Sequence, residues 1–196
     1  MRIASTILAV FFVFVVTALP VFSSTQTQRI GSTGKSTVVE QTIQRVTSNE
    51  MSIALPAKWH VRKTDTGVIA HEKDSPESAA MQIDYTRAEA LDPSDSEKME
   101  KLFIVADKMA AGGKIRTRKM DKDSASVYIE WDQHVENMDL RAGVVLKAEW
   151  SGCLIVMLTA SPKDYERIGG LNFVKESAKE VTLLSAAGAK PKTETK

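Results

Sequence analysis

The chain has 196 residues, 43% of them hydrophobic and 26% charged, which fits one globular domain with a sizeable core and short appendages. A formal charge of +1 excludes global electrostatics as a source of affinity for nucleic acid. The single cysteine, Cys153, excludes an intramolecular disulfide and lies far from any lipidation point at the N-terminus.

The N-terminus opens with Arg2, a continuous apolar run over residues 7–19 (ILAVFFVFVVTAL), a break at Pro20, and the small or acceptable residues Val21 and Ser23. This is the layout of a secretory signal peptide over residues 1–23, with cleavage before Ser24. The run is shorter than the roughly 20 apolar residues of a spanning helix. Export to a periplasmic or extracellular location is therefore expected. A retained membrane anchor, holding the domain outside the cytoplasm, is the alternative.

Residues 24–36 (STQTQRIGSTGKS) are polar and lack apolar periodicity, so they read as a flexible linker. GSTGKST (residues 31–37), which begins within them, imitates a phosphate-binding loop. The motif needs a first glycine where Arg29 stands, a buried strand before it and a helix after it. Instead β-branched Thr37, Val38 and Val39 follow, so no nucleotide is expected.

A strand-rich pattern begins at residues 38–46, and Met51-Ser52-Ile53-Ala54-Leu55 alternates with period two. Pro56-Ala57-Lys58-Trp59 is a turn into a strand over 59–64. Asp65-Thr66-Gly67 then signals a hairpin in which Gly67 is free to take a positive φ. The chain returns through 68–73, turns at Asp74-Ser75-Pro76, and runs out with Ala79, Met81, Ile83 and Tyr85 on one face. Asp92-Pro93-Ser94 starts a helix, with Ser94 and Glu97 as a capping box, and Met99, Leu102, Phe103, Ala106 and Met109 form its apolar stripe.

A short basic strand over 115–120 follows, then alternation at Ala125, Val127, Ile129 and Trp131 and again from Leu140 to Trp150. Residues 153–158 are apolar on both faces, as in a central strand covered above and below. Ser161 and Pro162 begin a last helical stretch, bent at Gly169-Gly170. The tail over 185–196 has no apolar content and is expected to be disordered. One domain over 37–184 results: an α+β fold with a mainly antiparallel sheet of about seven strands and helices on both faces.

The Leu55-Pro56-Ala57-Lys58-Trp59 turn followed by a hairpin resembles the PsbP-like family. So does the ending: an apolar strand, a Ser161-Pro162-x-x-Tyr165 helix start, and a closing helix. The resemblance covers about residues 51–184 and rests on structural motifs. It implies an α/β/α sandwich of PsbP or DcrB type and a non-catalytic accessory or assembly role. The family's photosynthetic and nuclear roles do not transfer to an exported chain, and fold analogy alone assigns no function.

Chemistry is sparsely signalled. His60 and His71 lie on neighbouring strands near Glu72 and Asp74, but no HxH, HExxH or CxxC spacing supports a metal site, and a closed site needs about four ligands. No G-x-S-x-G elbow is present, and Cys153 reads as a small core hydrophobe. No catalytic residue, metal or cofactor is assigned. A small secreted hydrolase or metal-dependent enzyme is the alternative, revived by any pocket that gathers His60, His71 and Glu72. The expected function is binding of a protein partner or anionic surface. Lys114, Arg116 and Arg118 project from one face of their strand as the candidate binding row, and edge protection against aggregation is the competing reading.

Overall fold

The structure is a computed structural model that describes residues 24–27, 42–73, 78–87, 95–149 and 152–184. The expected signal peptide, the GSTGKST segment, Ser94 and the tail over 185–196 lie outside these residues.

The strands sort into two antiparallel sheets. The large one has the order β4-β5-β6-β10-β9-β8-β7 and is built from β4 (His60–Lys63), β5 (Gly67–His71), β6 (Ala80–Arg87), β7 (Lys114–Asp121), β8 (Ser126–Val135), β9 (Met138–Glu149) and β10 (Gly152–Ala160). The small one has the order β1-β2-β3-β11, from β1 (Ser24–Thr27), β2 (Thr42–Thr47), β3 (Met51–Pro56) and β11 (Thr182–Leu183). The strands before Trp59 thus form a separate sheet rather than extending the main one. Ser24–Thr27, expected within a flexible linker, instead pairs with β2 from Ser24↔Arg45 to Thr27↔Thr42.

The Leu-Pro-x-x-Trp turn is the crossing between the two sheets. β3 ends at Pro56, Trp59 N–H donates to the Pro56 carbonyl (3.0 Å), and β4 starts one residue later in the other sheet. Gln44 on β2 braces the crossing by donating to the carbonyls of Pro56 (3.1 Å) and Trp59 (2.6 Å). The buried Trp59 ring meets Phe173 at 6.0 Å between centroids, an edge-tilted pair that ties the turn to the last helix.

Helix α1 (Ser96–Met109) packs on one face of the large sheet, over β8 and β9. Helices α2 (Pro162–Ile168) and α3 (Gly170–Glu180), together with the small sheet, pack on the other. Helices therefore lie on both faces of an α+β fold. The cap of α1 is Asp95, whose carboxylate accepts from the N–H groups of Glu97 (2.9 Å) and Lys98 (3.3 Å). The α1 stripe is buried at Met99, Leu102, Phe103 and Ala106.

β10 is central, as its apolar run implied, but its two faces differ. Leu154, Val156 and Leu158 are fully buried against α2, α3 and the small sheet, whereas Cys153, Ile155 and Met157 are only half-buried. The reason is width. A helix about 10 Å across covers roughly two strands spaced about 4.8 Å apart, and α1 sits over β8 and β9. Polar Gln82, Asp84 and Thr86 on β6 occupy the same face as Cys153, Ile155 and Met157.

Gly67 does not take a positive φ. A Cβ there would sit 1.9 Å from the Ile83 carbonyl oxygen, so glycine is demanded by the close approach of β6.

A second close approach locks the helices to the sheet. Tyr165 projects from α2 onto β9 opposite Gly143, where a Cβ would lie 2.1 Å from its hydroxyl. Gly170, at φ +56°, passes the Cδ1–Cε1 edge of the ring, where a Cβ would lie 2.9 Å from Cε1. The chain bends between α2 and α3 at Gly169, φ +112°, a left-handed position that glycine adopts without steric cost. Tyr165 is fully buried between the two glycines.

Candidate functional site

The three residues of the expected binding row do not share a face. A β-bulge between Ile115 and Thr117 shifts the register, so that Ile115 opposes Trp131, Thr117 opposes Glu130 and Arg118 opposes Ile129. Arg118 consequently turns to the α1 side. There it donates two hydrogen bonds to Asp107 (both 3.1 Å) and lies over the Phe103 ring at 3.9 Å. The Asp107 carboxylate raises the pKa of the guanidinium.

Arg116 turns the other way, to Asp132 (2.8 Å), on the side of α2. Lys114 opposes Asp132 at the end of the sheet. β7 is an edge strand, and its bulge and charges are the devices that keep such an edge from pairing with another chain.

Arg116 belongs to a chain of charges. Asp132 also accepts from Arg141 Nε (2.7 Å), and Arg141 pairs through Nη1 with Glu166 on α2. The hydrogen bond from Arg141, then the one from Arg116, hold the Asp132 carboxyl below the usual carboxylate range, against the opposing effect of burial. Arg141 is buried and within 5.9 Å of the Tyr165 ring. The cluster fastens α2 to the sheet beside the glycine clamp.

His60 and His71 are direct cross-strand partners on β4 and β5. Glu72 goes elsewhere, accepting from Arg167 on α2 (2.5 Å). Among the described residues, no cluster of three or more His, Cys, Asp or Glu side chains is placed to hold a metal ion.

A site that spacing along the chain did not indicate lies where α3 crosses the far end of β8 and β9. Lys175 and Lys179 are four residues apart on α3 and so project from the same flank. Lys147 comes up from β9 beside them, opposite Ser126. The three lysines line a cleft of about 140 Å³. Its floor is Val145, Ala178 and the Tyr128 ring.

The β7–β8 turn supplies the remaining wall. Asp121 accepts from the N–H groups of Asp123 (3.0 Å) and Ser124 (3.3 Å), and the Ser124 and Ser126 hydroxyls share a hydrogen bond of 2.5 Å. Bonds from Ser124, and more weakly the Lys175 charge, lower the Asp121 pKa, so its carboxylate stays charged at neutral pH.

The lysines differ in their partners. Lys147 pairs with Glu149 (2.7 Å) and Lys179 with Glu176 (2.8 Å). Lys175 lies 3.7 Å over the face of the Tyr128 ring, a cation–π contact. A cation held on a ring face keeps its N–H donors available to a ligand. This arrangement can attract and hold an anionic group against an apolar floor.

Comparison with solved structures finds the same architecture in the solution structure of cyanobacterial PsbP (CyanoP) from Synechocystis sp. PCC 6803, at a TM-score of 0.51. The fold is PsbP-like. The match covers 79% of this chain and 99% of CyanoP at 11% sequence identity, so the likeness is one of fold alone. No protein-family model matches the chain, and no curated protein matches it in sequence. The PsbP-like features named from the sequence, the sheet-crossing Leu-Pro-x-x-Trp turn and the Ser-Pro-x-x-Tyr helix start, are packing devices here.

Proposed function

We propose that the protein is exported and serves as a non-catalytic accessory protein, binding an anionic partner through the lysine cleft between α3 and β8–β9. The observation that carries this reading is the convergence of Lys147, Lys175 and Lys179 on one concavity, in a chain whose formal charge is only +1. Three lysines gathered at one concavity, with Lys175 carrying no carboxylate ion pair of its own among the described residues, give an anionic partner an orientation to find. Export is supported by the N-terminal Arg2, the apolar run over 7–19 and the Val21/Ser23 pair. No helix among the described residues is long and apolar enough to cross a membrane.

The test is affinity capture from the protein's own envelope fraction, comparing wild type with Lys175→Glu/Lys179→Glu. Loss of a captured partner, with the melting temperature unchanged, is the expected result. A partner captured equally by both proteins refutes the cleft as the binding surface. Intact mass of the same exported material should correspond to a chain beginning at Ser24. A full-length chain fractionating with membrane shows instead that the apolar run is a tether.

A further inference from the structure

We infer that the lysine cleft is a site for a phosphate-type oxyanion, carried either free or on a phospholipid headgroup. This rests on the reading of the cleft as a binding surface and goes further by naming the ligand chemistry. Lys147, Lys175 and Lys179 line the cleft from two elements, α3 and β9, and Ser124 and Ser126, whose hydroxyls bond each other, line it from the β7–β8 turn and β8. Donors that converge from several directions suit a tetrahedral anion with peripheral oxygens on every side.

A planar carboxylate is better matched by the rigid two-pronged guanidinium, and no arginine lines the cleft. Lysine binds phosphate as a point charge instead. The apolar floor of Val145, Ala178 and Tyr128 lowers the local dielectric, which strengthens each ammonium–oxyanion contact relative to open solvent.

Two features oppose binding and set its strength. The Asp121 carboxylate also lines the cleft and repels an anion. Glu149 and Glu176 compete for Lys147 and Lys179. The Lys179–Glu176 pair is two-thirds exposed on both sides, and exposed pairs of this kind exchange readily for a better partner. Inorganic phosphate should therefore bind on the order of 1 mM, with marked salt sensitivity.

The experiment titrates inorganic phosphate into the purified exported protein at constant ionic strength, following backbone amide NMR shifts. Acetate is the parallel carboxylate probe. Saturable shifts confined to residues 121–128, 145–149 and 175–179 are expected, with acetate at least about tenfold weaker. Lys175→Gln should weaken phosphate about tenfold, the loss of one charge-assisted contact. Asp121→Asn keeps an acceptor for the turn but removes the opposing charge, and it should tighten phosphate by about threefold.

Co-sedimentation with phosphatidylglycerol vesicles, against phosphatidylcholine alone, separates the two sources. Lys175-dependent binding to the anionic vesicles assigns the headgroup, and saturation by free phosphate without vesicle binding assigns the soluble ion. The inference is overturned if neither probe binds, if acetate equals phosphate, or if Lys175→Gln and Asp121→Asn leave affinity unmoved. Lysine-dependent partner capture without phosphate binding overturns the ligand class alone and leaves the proposed function standing.

Discussion

Gly143→Ala is the substitution whose consequence the structure sets most sharply. The added Cβ would lie 2.1 Å from the Tyr165 hydroxyl, 3.2 Å from Cζ and 3.4 Å from Leu171 Cδ1. Ordinary contact between such atoms is about 3.4–4 Å, so the hydroxyl must retreat by more than an ångström. The ring is fully buried, and Gly170 already crowds its Cδ1–Cε1 edge, which leaves it little room to retreat. Over-packing a filled core costs about 1–3 kcal/mol. With the ring fully buried and close to backbone at both its hydroxyl end and its Cδ1–Cε1 edge, the upper end applies, about 3 kcal/mol, or a fall in melting temperature of roughly 10 °C.

Tyr165→Phe supplies the control. The hydroxyl is the one buried side-chain polar atom among the described residues without a hydrogen bond of normal geometry, although the Glu130 carboxylate lies close enough to act on it. Burial, then the Glu130 carboxylate, push its pKa well above the ordinary phenol range, so it is neutral. Deleting an unsatisfied hydroxyl should change stability by less than about 1 kcal/mol. In that background the nearest ring atom to the new Cβ is the carbon at 3.2 Å, and Gly143→Ala should become nearly neutral. Urea midpoints for the four proteins give the coupling, expected at about 2 kcal/mol. Simple additivity, or a harmless Gly143→Ala, refutes the clamp.

Asp132→Asn should cost about 1–2 kcal/mol at pH 7, since Arg141 keeps Glu166 but loses its better-buried partner. Because the native Asp132 pKa is depressed, its contribution is present above the ordinary carboxylate pKa near 4 and is lost as pH falls through the native value. Urea unfolding should show the gap between wild type and variant closing as pH falls below about 4, and a constant gap would be evidence against the ion cluster. Burial, then Glu149, push the Cys153 thiol up to about 12, so native protein should react with a thiol reagent at pH 8 far more slowly than denatured protein. The raised value also means stability is lost as pH rises from about 9 toward 12. Cys153→Ala should lose less over that range, and parallel curves would contradict the assignment.

Periodicity made the elements legible, because burial on one face of a strand or helix leaves its mark within a few residues. The Met81, Ile83 and Tyr85 face and the Met99 to Ala106 stripe are buried where the alternation placed them. Ser161 accepts from the Asp164 N–H (3.2 Å), and the helix breaks at Gly169. Partition into two sheets was not legible, since nothing in the alternation of β3 and β4 tells which partner each strand finds. The shared face expected of Arg116 and Arg118 is lost for a related reason. One bulged residue inverts every later side chain, and Lys114–Asp121 carries no glycine or proline to announce it.

Lys147 shows why the cleft was hidden and also what controls it. On β9 the buried Ala142, Val144, Leu146 and Ala148 face α1, while Arg141, Gly143, Val145 and Lys147 face the other helices. That second row reads in order along one strand face: ion cluster, clamp, floor, cleft. Lys147 becomes meaningful only when α3 brings Lys175 and Lys179 over it, and α3 is aimed by the bend at Gly169 and the wedge of Tyr165 beside Gly143. The clamp and the cleft are therefore mechanically linked through one short helix. Gly143→Ala, in displacing Tyr165, must shift α3 and separate its lysines from Lys147 although it touches none of them. Phosphate affinity should fall in this variant under conditions where it is still folded, and Tyr165→Phe should restore affinity together with stability. If stability returns but affinity does not, the lysines are positioned by something other than the clamp.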